Sequence, residues 1–262
     1  GIAFHRRRIE VHHRLAHNDF TFIIGGVIGA AEGGDMTVYN CINKAALYSG
    51  HYSNRVPKLQ YQGRFTTAGA AGIIGVFDYF NEPSGYKIAI DKCSNLNALG
   101  AYRGYTGGIV CFAYNATITS CVSRGDMLNS NSSHKGGIAG ALAGESIIKD
   151  CEVKGNFHSA SQGGATGAPG GILSVDLNGD LSGEGATLGV TIENCSYFGV
   201  IEGSSTPING GIVGIANDKT VIKDCRFGGK QQGVDVTENN VQSLAVGNGK
   251  GILTGILYWD GS

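Results

Sequence analysis

Acidic and amide side chains alternate in one short stretch of this 262-residue chain, as they do in loops that bind calcium. Asp176, Asn178 and Asp180 occupy alternate positions, and Ca²⁺ is held in proteins by oxygen ligands of this kind. The match is incomplete, because Leu181 stands where a glycine is expected and Thr187 where a bidentate acid is expected. We therefore predict an ordinary polar turn and no cofactor, with Ca²⁺ as the alternative.

Tyrosines provide a second candidate site. Nine of the eleven tyrosines fall between Tyr39 and Tyr114, mostly in segments that interrupt a repeated pattern. A tyrosine ring offers a flat apolar face and a hydroxyl group, which suits both sugar rings and protein surfaces. The predicted ligand-binding patch consists of Tyr48, Tyr52, Tyr61, Tyr79, Tyr86, Tyr102, Arg103 and Tyr105. The alternative is that these rings pack against the side of the scaffold.

Motifs of hydrolytic enzymes are absent from the sequence. It contains neither the Gly-x-Ser-x-Gly turn of serine hydrolases nor the His-Glu-x-x-His helix of zinc peptidases. His13 and His17 could share a metal with nearby histidines, but a position beside Arg6–Arg8 is more typical of a solvated surface. Paired carboxylates could support glycoside hydrolysis, but the sequence does not set their separation. The sequence therefore favours a non-catalytic domain, and leaves open whether the loops carry catalytic carboxylates.

Six of the seven cysteines occupy one equivalent position of a repeat. Each ends a tetrad of the form apolar-x-polar-Cys. They are Cys41, Cys93, Cys121, Cys151, Cys195 and Cys225. In a parallel, in-register stack, equivalent residues lie about 4.8 Å apart and point the same way, whereas a relaxed disulfide needs converging side chains. We therefore predict a structural ladder of buried free thiols.

A glycine followed by two apolar residues precedes each tetrad, and a seventh copy ends at Thr254. A pattern that recurs along the chain in this way indicates stacked units that bury their apolar faces against their neighbours. The glycine element predicts a strand that is entered through a turn with positive φ. In the tetrad, both apolar ends face inward only if the third residue, such as Asn40 or Asp150, forms a left-handed corner. A third apolar segment follows most cysteines.

These patterns predict an all-β fold, a right-handed parallel β-helix of about seven coils with three strands in each. We assign residues 21–262 to this repeat domain and residues 1–20 to an N-terminal cap or the remnant of an upstream module. Trp259 is expected to pack on the last coil. We expect a monomer or a part of a larger multidomain chain.

Composition excludes some classes of partner. The formal net charge of −1 gives no electrostatic reason to expect nucleic acid as a partner. No apolar run approaches the roughly 20 residues that a membrane span needs, so no span is expected.

The pattern Gly-Gly-Ile-Val-Gly followed by Ile-Lys-Asp-Cys resembles the GLUG repeats of bacterial surface proteins related to immunoglobulin A peptidases, especially those of Bacteroidetes. Residues 136–157 and 210–229 carry the pattern most fully, and Cys111, Ser174 and Lys250 depart from it. The resemblance implies a parallel β-helical domain of a secreted protein, or of one attached to the outer membrane. It implies a role in adhesion or in presenting a larger assembly, and no peptidase activity.

Function is expected in the segments that interrupt the repeat, because loops vary most in repeat proteins. We expect an adhesin-like, non-catalytic domain that binds a host protein or glycan through these lateral loops. One alternative is a spacer or accessory domain of an immunoglobulin A peptidase-like protein. The other is a β-helical enzyme that acts on polysaccharides.

Overall fold

The computed structural model describes residues 22–31, 33–49, 59–61, 64–66, 68–78, 85–101, 104–128, 134–158, 167–178, 186–202 and 208–262. Nearly all of the regular structure in these ranges is β-strand. The strands of the first half are β1 (Phe22–Gly25), β2 (Ile28–Ala31), β3 (Met36–Tyr39), β4 (Ile42–Asn43), β5 (Leu47–Ser49), β6 (Leu59–Tyr61), β7 (Arg64–Thr66), β8 (Ala68–Ala71), β9 (Ile74–Phe77), β10 (Ile88–Asp91), β11 (Ser94–Asn95), β12 (Leu99–Ala101), β13 (Tyr105–Gly107), β14 (Val110–Tyr114), β15 (Ala116–Thr119) and β16 (Val122–Ser123).

The second half contributes the remaining strands and one short helix, α1 (Val241–Leu244). These strands are β17 (His134–Gly136), β18 (Ala139–Ala143), β19 (Ile147–Lys149), β20 (Glu152–Lys154), β21 (Leu173–Asp176), β22 (Thr191–Glu193), β23 (Ser196–Ile201), β24 (Val213–Ile215), β25 (Val221–Lys223), β26 (Arg226–Gln231), β27 (Val234–Asp235), β28 (Val246–Asn248), β29 (Ile252–Thr254) and β30 (Leu257–Tyr258).

Successive repeats pair in parallel and build long sheets. Two sheets have seven strands, in the orders β2-β9-β14-β18-β21-β24-β28 and β3-β10-β15-β19-β22-β25-β29. A third runs β4-β11-β16-β20-β23-β26, and β30 also pairs with β26. Each coil contributes one strand to each sheet, so the predicted parallel β-helix of seven coils is confirmed. We number the coils 1 to 7 from β2 to β28.

The prediction of three strands per coil was too low. A further sheet, β1-β8-β13-β17, lies just ahead of the glycine pairs. Isolated bridges extend it from Gly136 to Gly170 and on to Gly210. The pair β5-β12 adds another parallel ladder, which bridges continue through Met127 and Phe157.

The predicted reason for the glycine pairs was wrong. No glycine of the first six copies, the second of which is Ala71-Gly72, has a positive φ; only Gly251, in the seventh copy, has one. The glycines are needed for space instead. A Cβ on Gly136 would lie 1.7 Å from the carbonyl oxygen of Ala139, and one on Gly137 would lie 2.1 Å from that of Gly171 in the next coil. The chain therefore turns so tightly here that no side chain fits.

The predicted left-handed corner of the tetrad is confirmed. Asn40, Asp150, Asn194 and Asp224 have φ between 50° and 55°. Lys92 and Ser120, which are not the residue types that favour this region, have φ values of 53° and 52°. The corner turns the chain from one long sheet to the next while both apolar ends of the tetrad face inward.

The interior is organised as columns of like residues. One column consists of isoleucines that follow the glycine pairs, namely Ile73, Ile109, Ile138, Ile172 and Ile212, all fully buried. Each of their carbonyl oxygens accepts two hydrogen bonds from the preceding coil. The Ile172 oxygen, for example, accepts from the backbone nitrogens of Ile138 at 2.9 Å and Ala139 at 3.1 Å. These paired bonds hold the coils in register at the turn.

The six repeat cysteines form a second column. All seven cysteines of the chain are free thiols, and all are buried except Cys41, which is half-buried in coil 1. The backbone N–H of Cys41 donates to Sγ of Cys93 at 3.4 Å, and the same bond recurs from Cys93 to Cys121. The thiols therefore serve as buried acceptors between coils.

Coil 7 ends in a segment that folds back along the side of the solenoid. The β30 strand pairs with β26, and Trp259 follows with its side chain 5 % exposed. Its backbone nitrogen donates to the Phe227 oxygen at 3.0 Å. Trp259 was expected to pack on the last coil, but its ring packs on the side of coils 4 to 6, against Lys154, Phe198 and Arg226. Within the described residues, no helix has the length and apolar character that a membrane span requires.

Candidate functional site: a lateral groove with a glycine floor

An open groove of about 740 Å³ runs along the side of coils 3 to 7. Its floor is the backbone of a glycine column, formed by Gly155, Gly199 and Gly229 in successive coils. A Cβ on Gly199 would lie 2.3 Å from the Gly155 oxygen, and one on Gly229 would lie 2.1 Å from the Gly199 oxygen. No side chain fits at these positions, because it would meet the backbone of the preceding coil, and the glycine column lies between two rows of outward side chains.

The residues on either side of the glycines form the two walls. On one side lie Arg124, Lys154 and Phe198, in register with one another and joined by Tyr258 and Asp260 of the C-terminal segment. On the other side lie Asp126, Asn156, Val200, Lys230, Asp235, Val236 and Thr237. One wall thus combines cations with aromatic rings, and the other is largely polar.

Side-chain oxygens form hydrogen bonds between neighbouring coils along the polar wall. Asp126 Oδ1 accepts a hydrogen bond from the backbone nitrogen of Asn156 at 2.7 Å, and Asn156 Oδ1 accepts one from that of Val200 at 3.0 Å. These bonds replace strand pairing beside the glycines. The wall is therefore held rigidly, which suits a site that must keep its shape before a ligand arrives.

The acidic residues of the groove already have partners. Asp235 Oδ1 lies 3.3 Å from Lys230 Nζ. Asp260 Oδ1 accepts hydrogen bonds from the Ser262 backbone nitrogen and hydroxyl group, which hold the pKa of Asp260 below its usual range. Lys154 differs, because among the described residues it contacts no carboxylate. It donates to the Gly261 oxygen at 3.3 Å and lies 5.0 Å from the ring centre of Trp259.

Trp259 fixes the aromatic wall. The Arg226 guanidinium lies 4.5 Å from its ring centre, and the Phe198 ring meets it edge-on at 5.9 Å. Its Nε1 donates to the Ser262 oxygen at 2.8 Å. Contacts between cations and an indole face add stabilisation beyond the buried area. The neighbouring Tyr258, which is 39 % exposed, also lines the groove.

A charged network lies behind Asp126. His158 sits between two carboxylates, with Nε2 3.7 Å from Asp126 Oδ2 and Nδ1 3.0 Å from Glu202 Oε1. Lys135 is buried and donates to the His158 backbone oxygen. Burial lowers the pKa of Lys135 to about 8, and the nearby Glu202 opposes that shift. The network joins coils 3, 4 and 5 and holds Asp126 at the edge of the groove.

The predicted tyrosine patch is only partly described. Tyr52, Tyr79, Tyr102 and Arg103 lie outside the described residues, and of Tyr61 only the backbone is described, in β6. Tyr48 and Tyr86 are 50 % and 40 % exposed, but Tyr105 is buried and stacks on His134 at 4.8 Å. These three residues lie in or beside β5, β10 and β13, which belong to three different sheets. The described tyrosines therefore do not share one strand ladder.

The predicted polar turn holds two coils together. Asp176 is buried, and its carboxylate accepts hydrogen bonds from the Val190 nitrogen at 2.7 Å and the Thr220 hydroxyl at 2.8 Å. Desolvation raises the pKa of Asp176, and these bonds oppose the rise. The Asn178 side chain accepts a hydrogen bond from the Gly144 backbone nitrogen and donates one to the Gly144 oxygen. Asp180 lies outside the described residues, and the described part of the chain has no cluster of three metal-ligating acids, cysteines or histidines.

Sequence reasoning did not find the groove, although a signal for it exists. Gly125, Gly155, Gly199 and Gly229 each stand four residues after a repeat cysteine. A glycine at one fixed position of successive repeats predicts a stripe without side chains along a solenoid. The residues that precede and follow each of these glycines then form the two walls of the groove.

Comparison of the chain with known protein families, with curated proteins and with solved structures gives no match.

Proposed function

We propose that this β-helix is a non-catalytic binding domain that holds an extended glycan chain in the lateral groove. The observation that carries the proposal is the glycine floor between an aromatic wall and a polar wall. Sugar rings stack on exposed aromatic side chains, and their hydroxyl groups bond amides and carboxylates. Tyr258 and Phe198 supply the first kind of contact, and Asn156 and Thr237 the second.

The dimensions of the groove favour a polymer. Its floor repeats once per coil, at the spacing of parallel strands, about 4.8 Å. A linear chain of similar units can therefore repeat its contacts from coil to coil. An adhesive role on a bacterial surface is part of this proposal and is supported by the resemblance of the repeats to GLUG sequences.

The test is binding of the purified chain to an array of plant, bacterial and mucin-type glycans. The key variant is Tyr258→Ala, and the matched controls are Tyr48→Ala and Tyr86→Ala, which remove equally exposed rings elsewhere. We expect binding to be lost in Tyr258→Ala and kept in both controls. Thermal unfolding of each variant checks that the fold is intact.

The other outcomes separate the alternatives. Loss of binding only in the Tyr48 or Tyr86 variant would move the site to the tyrosine patch predicted from the sequence. Absence of binding to every glycan would favour the spacer. Release of shortened sugars from a bound glycan would identify a polysaccharide-active enzyme and overturn the non-catalytic proposal.

A further inference from the structure

Two neighbouring cations on the aromatic wall lack an acid between them. Ser123 and Val153 are paired, so Arg124 and Lys154, which follow them, project from equivalent positions of coils 3 and 4. Adjacent positions in parallel coils are about 4.8 Å apart, and like charges at such positions repel. The Arg124 side chain is 58 % exposed and meets one carboxylate, that of Glu152, at 3.5 Å. Lys154 meets none among the described residues.

Part of the neighbouring sheet shows a different arrangement of charge. There Lys149, Glu193 and Lys223 occupy equivalent positions in three successive coils. Glu193 Oε1 lies 3.5 Å from Lys149 Nζ and 3.6 Å from Lys223 Nζ. The charges alternate, so each cation has an anion beside it. The groove departs from this pattern at Arg124 and Lys154.

The departure coincides with the binding groove. Three acids line the groove, and each has a partner. Asp126 contacts His158 and the Asn156 backbone. Asp235 contacts Lys230, and Asp260 accepts a hydrogen bond from Ser262. None of these three acids is paired with Lys154, whose ammonium group meets no carboxylate among the described residues. The Phe198 side chain stands next in the same row, in register with Lys154.

We propose that Arg124 and Lys154 form a subsite for the carboxylate of a uronic acid, with the sugar chain continuing past Phe198 and Tyr258. This inference rests on the proposed glycan-binding function and names the class of glycan. A carboxylate between the two cations would relieve their repulsion and accept charge-assisted hydrogen bonds from both. The ring that carries the carboxylate would lie over the glycine floor.

The test compares one sugar chain in two charge states. Oligogalacturonate carries a charged carboxylate on each ring, and its fully methyl-esterified form carries a neutral methyl ester at the same position. We expect calorimetric titration at low salt to show oligogalacturonate binding about five-fold more tightly, because exposed ion pairs contribute up to about 1 kcal/mol. The preference should shrink as salt is added, since the pairs are screened.

Variants assign the preference to the two cations. We expect Lys154→Gln to abolish the difference between the two ligands, and Arg124→Gln to reduce it. Lys149→Gln is the matched control, because it removes a lysine outside the groove. A preference that persists in Lys154→Gln, or that falls equally in Lys149→Gln, would overturn the inference.

Further ligands separate this inference from the proposed function. Equal binding of both forms, lost in Tyr258→Ala, would refute the uronate subsite and leave the glycan groove standing. Failure of both forms and of all neutral glycans would refute both proposals. Equally tight binding of polyglutamate would show that the cations serve an acidic polypeptide, and tighter binding of a sulfated glycan would show that sulfate is the preferred anion. Either result would overturn the uronate assignment.

Discussion

Single atoms decide whether the chain can make its tightest turn. At Gly136 a methyl group would lie 1.7 Å from a backbone oxygen, which no rotamer can avoid. We expect Gly136→Ala to lower the free energy of unfolding by about 3 kcal/mol, because the backbone must shift in a close-packed interior. Denaturant titration measures the change.

The control for that substitution is Gly29→Ala. A Cβ on Gly29 would meet nothing within 4 Å, so this variant should be nearly neutral. An equal loss of stability in the two variants would show that lack of space at Gly136 is not responsible.

The left-handed corners offer a stabilising substitution. Ser120 has a φ of 52°, a left-handed conformation that costs serine more than it costs asparagine, whose side chain can hydrogen-bond locally. We expect Ser120→Asn to raise the free energy of unfolding by about 0.5 kcal/mol. The reverse change, Asn40→Ser, should lower it by a similar amount. Denaturation midpoints that move the same way in both variants would contradict the argument.

The cysteines differ in access to solvent. Cys41 is half-buried, whereas the other six are buried. A hydrogen bond with Cys151 is the main reason that the pKa of Cys121 is raised to about 12. The bond with Cys195 lowers the pKa of Cys225, but that side chain is fully buried.

We therefore expect a thiol reagent to modify Cys41 first in the folded protein and the other six only after unfolding. Mass spectrometry counts the labels. The Cys41→Ala variant should lose the early label, and early modification of a second cysteine would contradict the ladder as described.

The sequence predicted the tetrad corner and the free thiols because both depend on residue type at one position. It did not predict why the glycines are paired. The contact that excludes a side chain joins backbone atoms three residues apart or in neighbouring coils. A pattern of residue types reports that glycine is present, but not which atom it must avoid.

Among the elements, β17 carries an acid-sensitive contact. The His134 ring stacks on Tyr105 of β13, and its Nδ1 accepts a hydrogen bond from the Ala168 nitrogen at 3.4 Å. Burial lowers the pKa of His134 to about 4, against about 6.5 for a histidine in the unfolded chain. Between these values the unfolded chain binds a proton that the folded protein does not.

Stability should therefore fall as the pH drops from about 6.5 to about 4. We expect a loss of about 2 kcal/mol, below the full value of the pKa difference because the ring keeps some contact with water. His134→Phe retains an aromatic ring in the stack and should flatten this part of the pH profile. Unfolding measured at both pH values would refute the assignment if the variant lost as much stability as the parent.

Two of the long sheets were predictable from β-branched residues in register. The sheet that leads into the glycine pairs was not, because its strands are short and one of them, β8, consists of Ala-Gly-Ala-Ala. Alanine and glycine have little intrinsic preference for a strand. They form one because the coils on either side supply hydrogen-bond partners, which is a property of the stack.

Over the whole molecule, the C-terminal segment ties coils 4 to 7 together. Trp259 contacts Lys154 of coil 4, Phe198 of coil 5 and Arg226 of coil 6. We expect Trp259→Ala to lower the free energy of unfolding by about 3 to 4 kcal/mol, because a buried indole is removed from a packed site.

Differential hydrogen exchange would locate the effect. Protection should fall in β23 and β26 and stay unchanged in β9 and β10, because coils contact only their neighbours. A uniform loss of protection along the chain would contradict this local role.

The glycine column was readable from the sequence, but the composition of the groove walls was not, because the walls come from residues up to 136 positions apart, from Arg124 to Asp260. The tyrosine count pointed to loops near the other end of the chain. Residues of one type that lie close together in the sequence need not lie on one surface, because consecutive segments of a coil face different directions.

The residue opposite the second glycine changes steadily along the axis. In coils 1 to 6 it is Asn43, Asn95, Ser123, Val153, Tyr197 and Phe227. The first two are joined by an amide hydrogen bond of 2.8 Å, and the last is an aromatic ring. The interior beside the second glycine thus changes from amide side chains in coils 1 and 2 to aromatic rings in coils 5 and 6. Coils with the same backbone shape are consequently not interchangeable. A duplicated or transplanted coil would fit only between coils whose interior side chains have a similar size and polarity. Insertion of a coil in the middle of the array therefore requires an interior residue intermediate between those of its two neighbours.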